Sequence, residues 1–258
     1  MGNGIRSNLL VRGVKNITVE LLEKLNDIKV YGEKLGYIVK TYTIQDEESA
    51  YAMLQYLAHL ETFQKAMGES DAIIQSTGGI LKLHHYDPYS GIRGDSRLDG
   101  TIRLSADEIT NIPTTLVHEH THCLVNTLIE KQLKHPRGTF EHTTHFLDAT
   151  MYRDINETAF EEWKYDLLDK LHRTKAPQSQ IDKVESIKTT YEAARFSGMR
   201  DYATEDYDFA PKGSGIEIPS VASEVFYNCN YDWKTFKKTG GYAYYVLKEL
   251  KSRLNKYG

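Results

Sequence analysis

The sequence predicts an α+β fold in which a small twisted sheet packs on one long helix and the C-terminal half is mostly helical. Three observations predict it. Apolar residues recur at helical spacing over most of the chain, the spacing shortens to alternation only around residues 78–105, and a long helix opens soon afterwards at Pro113. With 258 residues, 40% of them hydrophobic and 26% charged, the chain has the composition of a globular protein large enough for a real core. We read residues 1–258 as a single unit with two sub-lobes, 1–139 with the sheet and the long helix, and 140–258 largely helical.

Thr18 to Leu25 read as a helix, followed by a hairpin of strand-like runs at 28–30 and 37–44 that turns at Tyr31-Gly32. Asp46-Glu47-Glu48-Ser49 then opens a helix whose apolar face is Met53, Leu57, Leu60 and Phe63 and which closes near Gly68. Ile80 to Tyr86 and Gly100 to Ser105 read as two strands of a second hairpin. The strand at 100–105 reads either as an ordinary paired strand or, since it lies just before the long helix, as an exposed sheet edge of the kind that takes an added strand. Asn111 or Ile112 caps the long helix, which has Pro113 in its first turn and runs to about Leu133. Residues 140–173 carry one long helical pattern, 181–196 another, 198–216 a loop, and 219–227 and 241–254 the last two helices.

Charge and composition narrow the partners. The net charge is −4, from 32 basic and 36 acidic residues, so no excess of positive charge points to nucleic acid. No stretch approaches the roughly 20 apolar residues of a membrane span, and the N-terminal residues lack the apolar core of a signal peptide. Cys123 and Cys229 make no disulfide framework and fit no cysteine-based zinc pattern, which suits a reducing compartment. The expected localisation is cytoplasmic and the expected state a monomer.

The long helix holds Val117-His118-Glu119-His120-Thr121-His122-Cys123, a His-Glu-x-x-His arrangement. Histidines four apart share one helical face, so His118 and His122 can bind one zinc ion, while Glu119 points toward the water such an ion holds. His120 lies on another face and reads as a packing residue. A catalytic zinc usually takes three protein ligands. A third histidine six residues after the second would stand at 128, where the chain has Leu128; a glutamate on a later helix is the other common solution, and the chain offers Glu157, Glu217 and Glu224. His142 and His145 read as helix-surface residues rather than a second metal site, and His84 and His85 point to opposite faces of their strand.

Tyr202-Ala203-Thr204 followed by Glu217-Ile218-Pro219-Ser220-Val221-Ala222-Ser223-Glu224 resembles the second motif of the zinc peptidases typified by anthrax lethal factor and the Mlc titration factor. The resemblance implies a zincin-like fold and a zinc-dependent endopeptidase with one Zn2+ per chain. It implies Glu217 as third ligand, Tyr202 as the phenol that stabilises the tetrahedral intermediate, and Glu224 as a supporting group behind the ligands. The interval from Tyr202 to Glu217 exceeds the family's by a stretch at 207–215. Asn156-Glu157 resembles instead the Asn-Glu ligand motif of thermolysin-like enzymes. The group includes bacterial effectors and toxins that cut a host protein, which implies a protein substrate and delivery by a specialised secretion system without a cleaved signal peptide. The alternatives are a catalytically silent zinc-binding interaction module and a housekeeping cytoplasmic (amino)peptidase.

Overall fold

The computed structural model describes residues 18–86, 91–106, 113–207 and 210–257. The first helix, α1 (Val19–Lys34), is capped by Thr18, whose hydroxyl accepts from Leu21 N at 3.0 Å. The expected hairpin at 28–44 is not formed. Leu21, Ile28 and Gly32 lie on one buried face, so residues 28–30 and the Tyr31-Gly32 pair continue the helix. A β-branched residue costs a helix only a few tenths of a kcal/mol, less than burying Ile28 returns.

β1 (Ile38–Val39) and a 3-10 turn at Thr41–Thr43 replace the long second strand. α2 (Glu47–Met67) has the expected boundaries: Asp46 and Ser49 make a reciprocal cap, and Gly68 ends the helix in the left-handed region at φ 69°. A short α3 (Asp71–Thr77), which the sequence reading missed, leads into β2 (Ile80–His84).

β3 (Gly94–Ser96) and β4 (Ile102–Ser105) complete a sheet of order β1-β2-β4-β3. β2 and β4 run parallel, so the expected hairpin between them is corrected. The hairpin is β3–β4, closed by a turn in which Gly100 N donates to Arg97 O at 2.9 Å and Gly100 takes φ 81°. The edge-strand expectation is corrected as well, because β4 is interior and β3 is the edge.

α4 (Pro113–Leu133) spans the expected range; its expected cap at 111–112 lies outside the described residues. Fourteen successive residues, Leu116 to Ile129, are buried on every side. Two cores meet there. One gathers Leu57, Leu60, Leu81, Ile102 and Leu116 between α1, α2 and the sheet, and the other gathers Leu124, Leu128, Ile155, Val221 and Leu247 in the helical half.

The pattern at 140–173 is broken into α5 (Phe140–Leu147) and α6 (Thr150–Arg173), with Ala149 at φ 51° between them. The pattern at 181–196 is likewise split, into α7 (Gln178–Glu185) and α8 (Thr190–Phe196), because Thr189 and Glu192 form a second reciprocal cap. The expected loop at 198–216 contains a 3-10 turn at Asp201–Thr204. α9 (Glu217–Asn228), α10 (Trp233–Thr239) and α11 (Tyr242–Tyr257) follow, α10 being unforeseen. Pro219 is tolerated in the first turn of α9, where a backbone N–H has no helical partner.

Candidate metal centre

α4 and α9 pack side by side, and Ser220, Ala222 and Ser223 are fully buried small residues that permit the approach. Glu217 opens α9, where the positive end of the helix dipole favours a carboxylate. Its Oε2 lies 3.0 Å from His118 Nε2 and 3.4 Å from His122 Nε2. These three buried residues offer ligand atoms within 4.8 Å of one another, close enough to hold a metal ion.

The fit can be tested on the atoms themselves. Glu217 Oε2 is buried, and among the described residues it makes no well-formed hydrogen bond; its polar neighbours are the two imidazoles. Two imidazole nitrogens aimed at one orphaned carboxylate oxygen are what a shared cation would reconcile. Ligand atoms about 2.0–2.2 Å from a tetrahedral ion lie about 3.3–3.6 Å apart; the 3.4 Å spacing to His122 falls in that range and the 3.0 Å spacing to His118 a little below it.

The far sides of the ligands are held too. His118 Nδ1 lies 2.7 Å from Glu224 Oε1, which also accepts from Arg200, and His122 Nδ1 lies 3.2 Å from the Tyr152 hydroxyl. Such partners fix ring orientation and tautomer at a metal. Tyr207 donates to Glu217 Oε1, and the Tyr202 and Tyr207 hydroxyls are 2.9 Å apart. Of the other candidate ligands, Glu224 stands behind His118, and Glu157 faces outward on α6, away from the cluster. Neighbouring Asn156 points inward and donates to Gly215 O at 2.9 Å, just ahead of Glu217.

The charges reflect this crowding. Burial alone would lower the His118 pKa, but the Glu217 carboxylate 3.0 Å from Nε2, the Glu224 carboxylate hydrogen-bonded to Nδ1 and the charge of Glu119 outweigh it and raise it to about 10. Burial likewise opposes ionisation of Glu217, yet the two histidines hold its carboxyl well below the usual range. Burial raises the Glu119 pKa. Tyr202 is pushed up to about 12, first by burial and then by Glu217.

Glu119 and Tyr202 face the same cleft as the ligands. It continues into a cavity of about 610 Å³ bordered by Gly91 to Asp95, Thr114, Thr115, Arg200 and Glu224. β3 forms one wall. A Cβ at Gly94 would sit 2.6 Å from Thr115 Cγ2 and 3.3 Å from Glu119 Cγ, so only glycine lets this strand rest so close to α4.

The remaining histidines are elsewhere. His120 is fully buried, with Nδ1 2.8 Å from the Tyr37 hydroxyl and Nε2 3.1 Å from Glu69 Oε2. His142, expected at the surface, is buried, its Nε2 3.4 Å from Asn126 O. His145 stacks on His135 with ring centroids 4.9 Å apart. Neither His84 nor His85 lines the cleft. The sequence reading missed Tyr207, Arg200 and Tyr152, which belong to no recognisable motif. Searches against protein-family models, curated proteins and solved structures found no match to this chain.

Proposed function

We propose that this chain is a zinc-dependent endopeptidase with a zincin-like arrangement, related to the lethal factor and Mlc titration factor group. The observation that carries the reading is the convergence of His118 Nε2, His122 Nε2 and Glu217 Oε2, with Glu119 on the same cleft. Bound there, a zinc ion would acidify a water and polarise a carbonyl.

Each residue then has a task. His118, His122 and Glu217 hold the ion, and Glu224 with Arg200 keeps the His118 ring in place. Glu119 would take the proton of the attacking water and deliver it to the leaving amine. The resemblance gives Tyr202 the developing oxyanion. Among the described residues β3 pairs with β4 alone, and its other edge offers an extended peptide crossing the cleft a strand to pair with. An open cleft with a strand edge suits a protein substrate, and a host protein is the substrate if the chain is a secreted effector. Among the described residues no helix is long and apolar enough to cross a membrane.

The test is elemental analysis of protein purified without chelator, coupled to digestion of an unfolded protein substrate. The expected result is one zinc per chain, retained in Glu119→Gln while hydrolysis is lost. Zinc bound with no turnover on any protein offered would favour the silent module. A native chain that takes no zinc would end the reading.

A further inference from the structure

The segment between the 3-10 turn and α9 ends close to Glu217, and its hydrogen bonds have a direction. A carboxylate that ligates a cation can only accept. The Tyr207 hydroxyl therefore gives its proton to Glu217 Oε1, and its oxygen is left to accept from Tyr202 at 2.9 Å. Both phenolic protons point toward Glu217. Oε1 is occupied by this bond, so Oε2 alone faces the two histidines.

The loop carrying Tyr207 is tied at both sides. Asp206 Oδ1 accepts from the Tyr191 hydroxyl at 2.6 Å and from Gly213 N at 2.8 Å. The Tyr191 oxygen accepts in turn from Gly215 N at 3.1 Å. Gly215 adopts φ 64°, and a Cβ there would meet Asn156 Nδ2 at 2.7 Å, so the chain is fixed immediately before α9. Tyr207 also lies in the stretch by which this chain exceeds the resembling family's interval.

We propose that Tyr207, with Asp206 and Tyr191 holding its loop, forms a metal-retaining clasp that fixes Glu217 as a one-oxygen ligand, and that Tyr202 serves in the resting site to lock Tyr207. The proposal rests on the metal reading of the site. Tyr207 is a positioning residue: a carboxylate already oriented loses less freedom when it ligates, so the ion is held more tightly and leaves more slowly. Partners of this kind change metal affinity by about 10- to 100-fold.

The experiment strips metal from the wild type, Tyr207→Phe, Tyr202→Phe and Asp206→Ala, then titrates zinc against a chromophoric chelator and follows its release. Tyr207→Phe is expected to weaken zinc by about 10-fold or more and to speed its release. Tyr202→Phe and Asp206→Ala, the latter removing the oxygen that accepts from Tyr191 and Gly213, should give smaller losses of the same kind, while metal-free melting temperatures stay near the wild type. If Tyr207→Phe does not fold, Asp206→Ala, which keeps both phenols, supplies the same readout.

Wild-type affinity and release rate in Tyr207→Phe, or in Asp206→Ala where that variant stands in, would overturn the clasp. Tyr202→Phe with unchanged zinc affinity and only its turnover reduced would overturn the locking role and return Tyr202 to the oxyanion. Failure of the metal reading itself is recognisable separately, because the wild type would then bind no zinc before any variant is compared.

Discussion

α4 carries two buried histidine sites on different faces, and they are built oppositely. At His120 each ring nitrogen has its own neighbour, Tyr37 on one side and Glu69 on the other, so the chain of polar groups is closed. At His118 and His122 two nitrogens crowd one carboxylate oxygen to which the described residues give no well-formed hydrogen bond. Burial and a nearby glutamate are common to both. What separates a cluster able to take a cation from a structural polar network is the convergence of ligand atoms on one point.

The largest effect should come from the converging site. His118→Ala or His122→Ala is expected to lose both metal and hydrolysis, whereas Glu119→Gln keeps the metal and loses about 10²-fold or more in turnover; metal content and peptide-bond cleavage on the same samples decide it. Full activity in the Glu119 variant would break the mechanism.

The closed site should answer differently. His120→Ala leaves Glu69 buried beside a cavity, which should cost about 3 kcal/mol of stability with zinc stoichiometry unchanged, read by denaturant unfolding and elemental analysis. Loss of zinc in that variant, with the fold intact, would erase the distinction between the two faces.

A pH experiment sharpens the comparison further. In metal-free protein the raised pKa of His118 contributes stability that is fully present below about pH 6.5 and is lost as pH rises through about 10. Melting of the metal-free form should therefore fall over that window. The loaded form, whose His118 is already neutral with Nε2 given to the metal, should not show this fall. Coincident pH profiles for the two forms would argue against His118 as a ligand. The smallest effect is expected at His145, stacked on His135 and apart from the cleft: His145→Gln should leave zinc content unchanged and stability within about 0.5 kcal/mol.

The sequence disclosed what depends on local spacing. The i, i+4 histidines, Asp46 with Ser49, and Gly68 each act within one helical turn, so their geometry follows from their order. Glu217 was one of three candidate glutamates, and choosing among them depends on which helix lies against α4, a property of the whole fold. Ile28 and Val30 look like a strand by residue type, but the period set by Leu21, Ile28 and Gly32 prevails through packing. The parallel pairing of β2 with β4 was hidden because two runs of alternating residues look alike in either direction. Tyr207 and Arg200 were invisible for a related reason: a loop residue has no periodicity, and its partner is known only once the chain is folded.

The burial of α4 between two cores has a consequence for motion. Residues 116–129 have no exposed side on which the helix could fray, so the backbone amides there can meet solvent only when both halves of the molecule come apart. Their deuterium uptake should then follow the global unfolding reaction, and the two histidines of the cleft would leave their places only with the last structure to be lost.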